Sequence, residues 1–277
     1  MTLETIYILR HGFRVNWVTA EWKSVTGLPR DPQLAAFGEV QAKEVADYFL
    51  SLPEDQRPTA IFSSPYYRCL QTSKPTAIAL GIPIYAEHGL TEWYYPVEPG
   101  TGLHPRPSSA SALKAYFPEI DDSWSSVWYP SRKGEDTAAL HDRLAGFVTA
   151  LVPEVQRRYA GVHKRILLVS HAATVIALAR ELIGDRGVSF QAACCSLTVL
   201  DHKDAGAGDS ARRAVVGGWT ARHLGDGGHL KDGLQRPWGF SDAAIVDGVV
   251  TEHGEPGTEN EEDEPVGSQI IELSSRM

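Results

Sequence analysis

The chain has 277 residues, 43% of them hydrophobic, and a formal net charge of −9. That length suffices for one large core, and no apolar run approaches the roughly 20 residues of a membrane helix. An acidic chain without a basic stripe is not expected to bind nucleic acid directly. Three cysteines with no CxxC pair (Cys69, Cys194, Cys195) argue against a disulfide framework or zinc site and fit a reducing compartment.

The charge is unevenly placed. Residues 251–265 hold seven carboxylates and no Lys or Arg, so without them −9 becomes −2. The N-terminus enters an apolar run at once, with no basic leader, and no secretion signal is expected. The β-rich run 5–10 predicts a buried strand, and Gly27, Pro29 and Pro32 mark 12–33 as a loop. A helix follows over 37–52, with Val40, Val45, Phe49 and Leu50 on or near one face, and Pro53 stops it. Residues 59–63 read as a second strand. Ser64-Pro65 reads as a cap and first residue of a helix running to Leu80, with Gly81 as its stop and Pro75 as a kink. Residues 82–85 form a third short strand.

Residues 96–133, rich in Pro, Ser and aromatics, read as an insert with a short helix near 110–117. A long helix over 135–159 carries Leu140, Leu144, Phe147, Val148, Leu151 and Val155 at helical spacing, with a kink expected at Pro153. Residues 165–170 are the strongest strand, and a helix over 172–183 closes at Gly184. Two strands near 195–200 and 214–222 flank a polar loop, 204–213. Residues 251–268 are expected to be disordered. The organisation is then a domain over 1–245 and an acidic tail over 246–277. Alternating strands and helices predict an α/β fold: a three-layer sandwich with a largely parallel central sheet flanked by helices. Ligands of such sheets bind at the C-terminal ends of the strands.

Three strand ends carry unusual polar groups: Arg10-His11-Gly12-Phe13-Arg14, Ser63-Ser64-Pro65-Tyr66-Tyr67-Arg68 and Ser170-His171-Ala172. Together they bring three guanidiniums and two imidazoles to one rim. Guanidinium forks match phosphate oxygens, and Arg68 falls in the first turn of a helix, where backbone N–H groups also favour an anion. A neutral histidine nitrogen can attack phosphorus, and the charge spreading over the equatorial oxygens must be met by fixed cations. A leaving group needs an acid. Glu92, beside Trp93, is the candidate, with desolvation expected to raise its pKa and keep it protonated.

These segments, in this order, resemble the motif series of the histidine phosphatase (phosphoglycerate mutase-like) superfamily over roughly residues 5–200. Leu34–Ala42, with Gly38 and Gln41, resembles that family's first helix, and Gly134-Glu135 the opening of its long helix. The resemblance implies a phosphoglycerate mutase-like fold and His11 as nucleophile. Arg10, Arg14, Arg68 and His171 would form the phosphate pocket, and Glu92 would act as acid and then base. No metal or other cofactor is implied. Mutases of the family carry Glu-Ser-x-x-Asn after the glycine, whereas this chain reads Phe13-Arg14-Val15-Asn16-Trp17, which resembles the phosphatase branch. The insert, with Arg106, Lys114, Arg132 and Lys133 as its only cations, offers little to hold a second phosphate as a mutase would. The Glu92-Trp93-Tyr94 run and residues 233–240 resemble more narrowly the fungal histidine-phosphatase-domain subunits of transcription factor IIIC and their stand-alone relatives.

Two functions are expected from this reading. One is a metal-independent phosphomonoesterase acting on a small molecule or a phosphoprotein. The other is an interaction subunit of an RNA polymerase III transcription factor, with factor subunits as partners and a weak or idle site. Neither involves a membrane, and both place the protein in the cytoplasm or nucleus. Trp93, Tyr94 and Tyr95 would line the pocket or pack as core; Trp124, Trp128 and Cys194-Cys195 read as core.

Overall fold

A computed structural model describes residues 3–203, 214–240, 245–246, 249–250, 256–259 and 262–270. The strands β1 (Thr5–Arg10), β2 (Ala60–Ser63), β3 (Ile84–Ala86), β5 (Arg165–Ser170), β6 (Leu197–His202) and β7 (Trp219–Asp226) form one sheet in the order β3-β2-β5-β1-β6-β7. The first four are parallel, and β6 and β7 run antiparallel to β1.

Alternation along the central strands builds two cores. Ile6 and Ile8 of β1, with Ile166 and Leu168 of β5, face α4 (Thr137–Arg158) and α5 (Ala172–Ile183). Tyr7, Leu9, Leu167 and Val169 face α1 (Ala36–Ser51) and α2 (Tyr67–Leu80). Burial on both faces explains the unbroken apolar runs of β1 and β5. The three-layer α/β sandwich expected from the sequence is the fold observed.

The register sets the rim. Arg10 pairs with Ser170 and Ser63 with Val169, so β1, β2 and β5 end level. Helix α1 meets the loop after β1 backbone to backbone. A Cβ on Gly38 would lie 2.2 Å from the Phe13 carbonyl oxygen, and one on Gly12 would lie 2.8 Å from that of Gly38. Gln41 Oε1 accepts from Phe13 N at 3.0 Å, which pins the same loop.

Several local expectations differ from the structure. Helix α2 begins at Tyr67, not at Pro65, because the Ser64 hydroxyl is engaged by His171 at 2.9 Å instead of serving as the cap. Neither Pro75 nor Pro153 breaks its helix. The third strand begins at Ile84, and the insert's helix α3 is the single turn Ala110–Leu113. The loop 204–213 lies outside the described residues.

The tail departs most from expectation. Thr258 and Glu259 pair with Leu103 of the insert (Leu103 N to Glu259 O, 2.7 Å), and Gly267–Ser268 pairs antiparallel with β4 (Trp128–Tyr129). Asp263 accepts from Ser131 Oγ at 2.6 Å and from Arg132 N at 2.8 Å, while Glu259 pairs with the Arg132 guanidinium. The described part of the acidic segment is thus ordered on the insert. Its carboxylates find arginines there, which composition alone does not reveal. Ending the chain after residue 255 removes these partners. A fall in Tm of about 5 °C and faster proteolysis within 96–133 are expected; unchanged melting and cleavage would show that the segment contributes nothing.

Candidate active site

His11 follows β1 directly, its N–H bonded to the Ser170 carbonyl at 2.9 Å. It is buried, and its Nδ1 lies 2.8 Å from the Gly12 carbonyl oxygen. A carbonyl only accepts, so Nδ1 carries the proton and Nε2 keeps its lone pair. Burial first, and then Arg68, Arg10 and the other cations nearby, hold the ring well below the ordinary histidine range, so it is neutral. Edge-on to it at 5.4 Å stands the ring of His171, the residue that opens α5. His171 Nε2 meets Ser64 Oγ at 2.9 Å and its Nδ1 lies 3.2 Å from Glu92 Oε2; burial pushes its pKa down to about 4.

Arg68, in the first turn of α2, links the two halves. Its Nη1 donates to Asp31 Oδ1 at 3.0 Å and its Nη2 to Glu92 Oε2 at 3.2 Å. Arg68 and Asp31 are both almost wholly buried, at 1% and 2% side-chain exposure. Asp31 Oδ2 also accepts from Tyr67 N at 2.9 Å, at the N-terminus of α2, where a negative charge is favoured. Burial alone would weaken the protonation of Arg68, but Asp31 and Glu92 outweigh it. Arg10 Nη1 donates to the carbonyls of Ala192 at 2.8 Å and Arg236 at 2.5 Å. Arg14 stacks on Trp17, 4.2 Å from the ring centroid; burial and the neighbouring Arg68 push it down to about 10. Among the described residues the buried Nε atoms of Arg10, Arg14 and Arg68 have no acceptor.

The structure therefore brings together all six residues singled out from the sequence: His11, Arg10, Arg14, Arg68, Glu92 and His171. One expectation about them is corrected. Burial does act to raise the pKa of Glu92, but His171, Arg68 and Arg14 outweigh it and hold the carboxyl well below the usual carboxylate range. Trp93 is core, packed on Tyr95 at 4.5 Å with its indole N–H on the Glu135 carbonyl. Tyr94 stands at the site, its hydroxyl 3.0 Å from that of Tyr66.

Ligand-type atoms of His11, Glu92 and His171 lie within 4.8 Å of one another, a set able to hold a cation in a neutral setting. Here Arg68 Nη2 contacts both Glu92 and His171, and Arg10 and Arg14 crowd the same place, so the field suits an anion. A small cavity beside Glu92 is lined by Tyr66, Tyr94, His104, Arg106 and Arg132 but not by His11.

Sequence reasoning missed Asp31, Trp17 and Arg236. No motif assigns them a role, since each acts through a fold-dependent contact. Backbone strain does mark the site. The non-glycine residues with positive φ are Arg30 (59°), Cys195 (54°) and Arg236 (51°) among the described residues. Each abuts a pocket arginine: the Arg30 carbonyl accepts from Arg68, Cys195 N donates to the Arg10 carbonyl, and the Arg236 carbonyl accepts from Arg10. Such conformations cost about 1–3 kcal/mol each and persist where the surroundings enforce them.

A cluster of arginines around a buried histidine, at the C-terminal rim of parallel strands, points to a class. Residues 6–209 match the histidine phosphatase superfamily (branch 1), and the chain belongs to that superfamily. More particularly, it is 39% identical over 209 residues to the transcription factor tau 55 kDa subunit of Saccharomyces cerevisiae, covering 71% of this chain and 47% of that one. The chain thus spans about half the length of that curated relative. Among solved structures it is similar in fold to the ecdysone phosphate phosphatase of Bombyx mori in complex with tungstate (TM-score 0.57, 16% identity, 80% of this chain and 92% of that one). It is similar also to a mycobacterial glucosyl-3-phosphoglycerate phosphatase (TM-score 0.51, 19% identity, 81% and 100%).

Asp31 gives the first test of the arrangement. In Asp31→Asn the amide oxygen cannot serve both Tyr67 N and Arg68, and the guanidinium loses its buried counter-charge. A stability loss of about 3 kcal/mol and weaker binding of inorganic phosphate are expected. Phosphate affinity equal to wild type in the folded variant would show that Asp31 does not position Arg68.

Proposed function

We propose that the protein is a phosphomonoester hydrolase that needs no metal ion and works through a phosphohistidine at His11. The observation that carries this is the buried His11, whose Nδ1–H on the Gly12 carbonyl leaves the Nε2 lone pair for attack, among three guanidiniums whose Nε atoms find no acceptor among the described residues. Nε2 attacks phosphorus while Arg10, Arg14 and Arg68 hold the oxygens. The phosphorus–oxygen ester bond breaks, and the leaving oxygen takes a proton delivered through Glu92, which His171 orients. Water then gives its proton to Glu92 and attacks the phosphohistidine, which releases phosphate and restores His11.

The low pKa of Glu92 decides where that first proton comes from. The carboxylate is ionised before substrate arrives, so the proton enters with the monoanion of the ester, whose second ionisation lies near about pH 6. A His11 pKa held well below 6.5 keeps the nucleophile neutral into the acid range. The sign follows: kcat/KM rises as pH falls from 8 towards about 6, and no loss of activity centres on pH 6.5. A profile that declines on acidification through pH 6.5 would contradict this proton inventory.

The decisive assay is hydrolysis of p-nitrophenyl phosphate in EDTA by wild type and His11→Ala. Wild-type turnover should resist EDTA, and the variant should lose at least ~10³-fold in kcat while keeping its melting temperature. Equal turnover by a folded His11→Ala protein rejects the mechanism.

A second role is favoured by one specific observation, the 39% identity to the tau 55 kDa subunit. In this reading the domain is a nuclear subunit of a transcription factor IIIC-like complex, and it can coexist with the first. Recovery of the protein with other factor subunits supports it; a monomer alone in nuclear extract rejects it.

A further inference from the structure

The chemistry proposed above leaves the side chain of Arg236 unused. Its guanidinium lies 5.2 Å from the Trp17 ring centroid and 5.8 Å from that of Phe13. The same indole carries the Arg14 guanidinium at 4.2 Å and lies 6.3 Å from the His11 ring, at 30° to it. Arg10 lies 5.7 Å from the same centroid, so one half-buried tryptophan joins the nucleophile, two pocket arginines and an arginine brought in by the C-terminal part of the domain.

Other arginines in the described residues find acceptors: Arg222 pairs with Asp201, Arg186 with Glu181, and Arg143 with Glu135. Arg14 and Arg236 are different. Among the described residues neither guanidinium has a hydrogen-bonded acceptor, and the two share the Trp17 ring. Arg14 is half-buried with its Nε enclosed, whereas Arg236 is exposed.

An exposed arginine is ordinarily just solvated, but Arg236 is held. It precedes Pro237, which favours extended backbone, yet its φ is 51° and its carbonyl bonds Arg10 at 2.5 Å. The backbone is locked by a pocket arginine while the side chain stacks on an indole, which leaves the guanidinium edge free for bidentate contact with an anion.

We propose that Arg236, seated on Trp17, forms a specificity subsite for a second anionic group, a carboxylate or phosphate, carried by the same phosphomonoester substrate. This rests on the phosphatase reading. The ester phosphate takes Arg10, Arg14 and Arg68, and the second anion lies a few bonds away, across the indole. Two sources share this chemistry: an acidic residue beside a phosphorylated residue in a peptide, and the acid group of a small phosphorylated acid.

The test uses matched pairs in wild type, Arg236→Gln and Arg236→Lys. One pair is a phosphoserine peptide with Asp or Asn beside the phosphoserine; the other is a small phosphocarboxylic acid or its amide. Wild type should prefer the acidic member of at least one pair by about 10-fold in kcat/KM, and in Kd measured calorimetrically with His11→Ala as host. Arg236→Gln, in either background, should bring that ratio to about one, and Arg236→Lys should recover part of it. Any disturbance of Arg10 through the backbone lowers both members alike and leaves the ratio untouched. Preference in the peptide pair alone, or in the small-acid pair alone, identifies the source. A ratio near one in wild type for both pairs, or one unchanged in Arg236→Gln, overturns the proposal. The Kd ratios stand without turnover, so absence of hydrolysis would count against the phosphatase reading and not against the subsite.

Discussion

Three guanidiniums crowded at one rim, two of them buried, repel one another, and much of the structure around the rim serves to offset that repulsion. Arg68 is met by Asp31 and Glu92, Arg10 by two carbonyls, and Arg14 by the face of Trp17. Asp31 does this from a loop and at the same time receives the first amide of α2, so the helix start and the arginine are positioned by one carboxylate. The strained backbone at Arg30 and Arg236 serves the same need, since their carbonyls accept from the Arg68 and Arg10 guanidiniums, while the N–H of Cys195 holds the backbone carbonyl of Arg10. Three guanidiniums beside the carboxylates of Asp31 and Glu92 leave a positive field at the rim, which favours an anion there.

Burial first, and then the guanidiniums, lower the pKa of His11, whereas His171, Arg68 and Arg14 together lower that of Glu92 against the effect of its burial. A phosphate dianion among the guanidiniums offsets their pull on Glu92, so its carboxyl becomes a better proton carrier once substrate is bound. In the proposed mechanism the acid role rests on this coupling between substrate charge and Glu92, rather than on desolvation by Trp93.

The strands were legible because β1 and β5 are buried on both faces and read as unbroken apolar runs. The rim residues were legible because the chain passes from strand to polar group at level registers, as in Leu9-Arg10-His11 and Val169-Ser170-His171. Other features were not. Ser64-Pro65 has the local signature of a helix start, but a tertiary contact to His171 claims the hydroxyl. The tail carboxylates Glu259 and Asp263 read as a solvated run, because their partners lie far away in sequence at Arg132 and Ser131. Asp31 and Arg236 carry no periodicity or motif, and only the folded geometry shows what their carboxylate and carbonyl touch.

The central claim is that His11 Nε2 forms a bond to phosphorus. Rapid acid-free quench of the enzyme with ³²P-labelled phosphomonoester, followed by peptide mapping, tests it most directly. The account predicts an acid-labile, base-stable label on the peptide containing His11 that forms and decays within one turnover. Turnover without label on that peptide, or label on another residue, would contradict it.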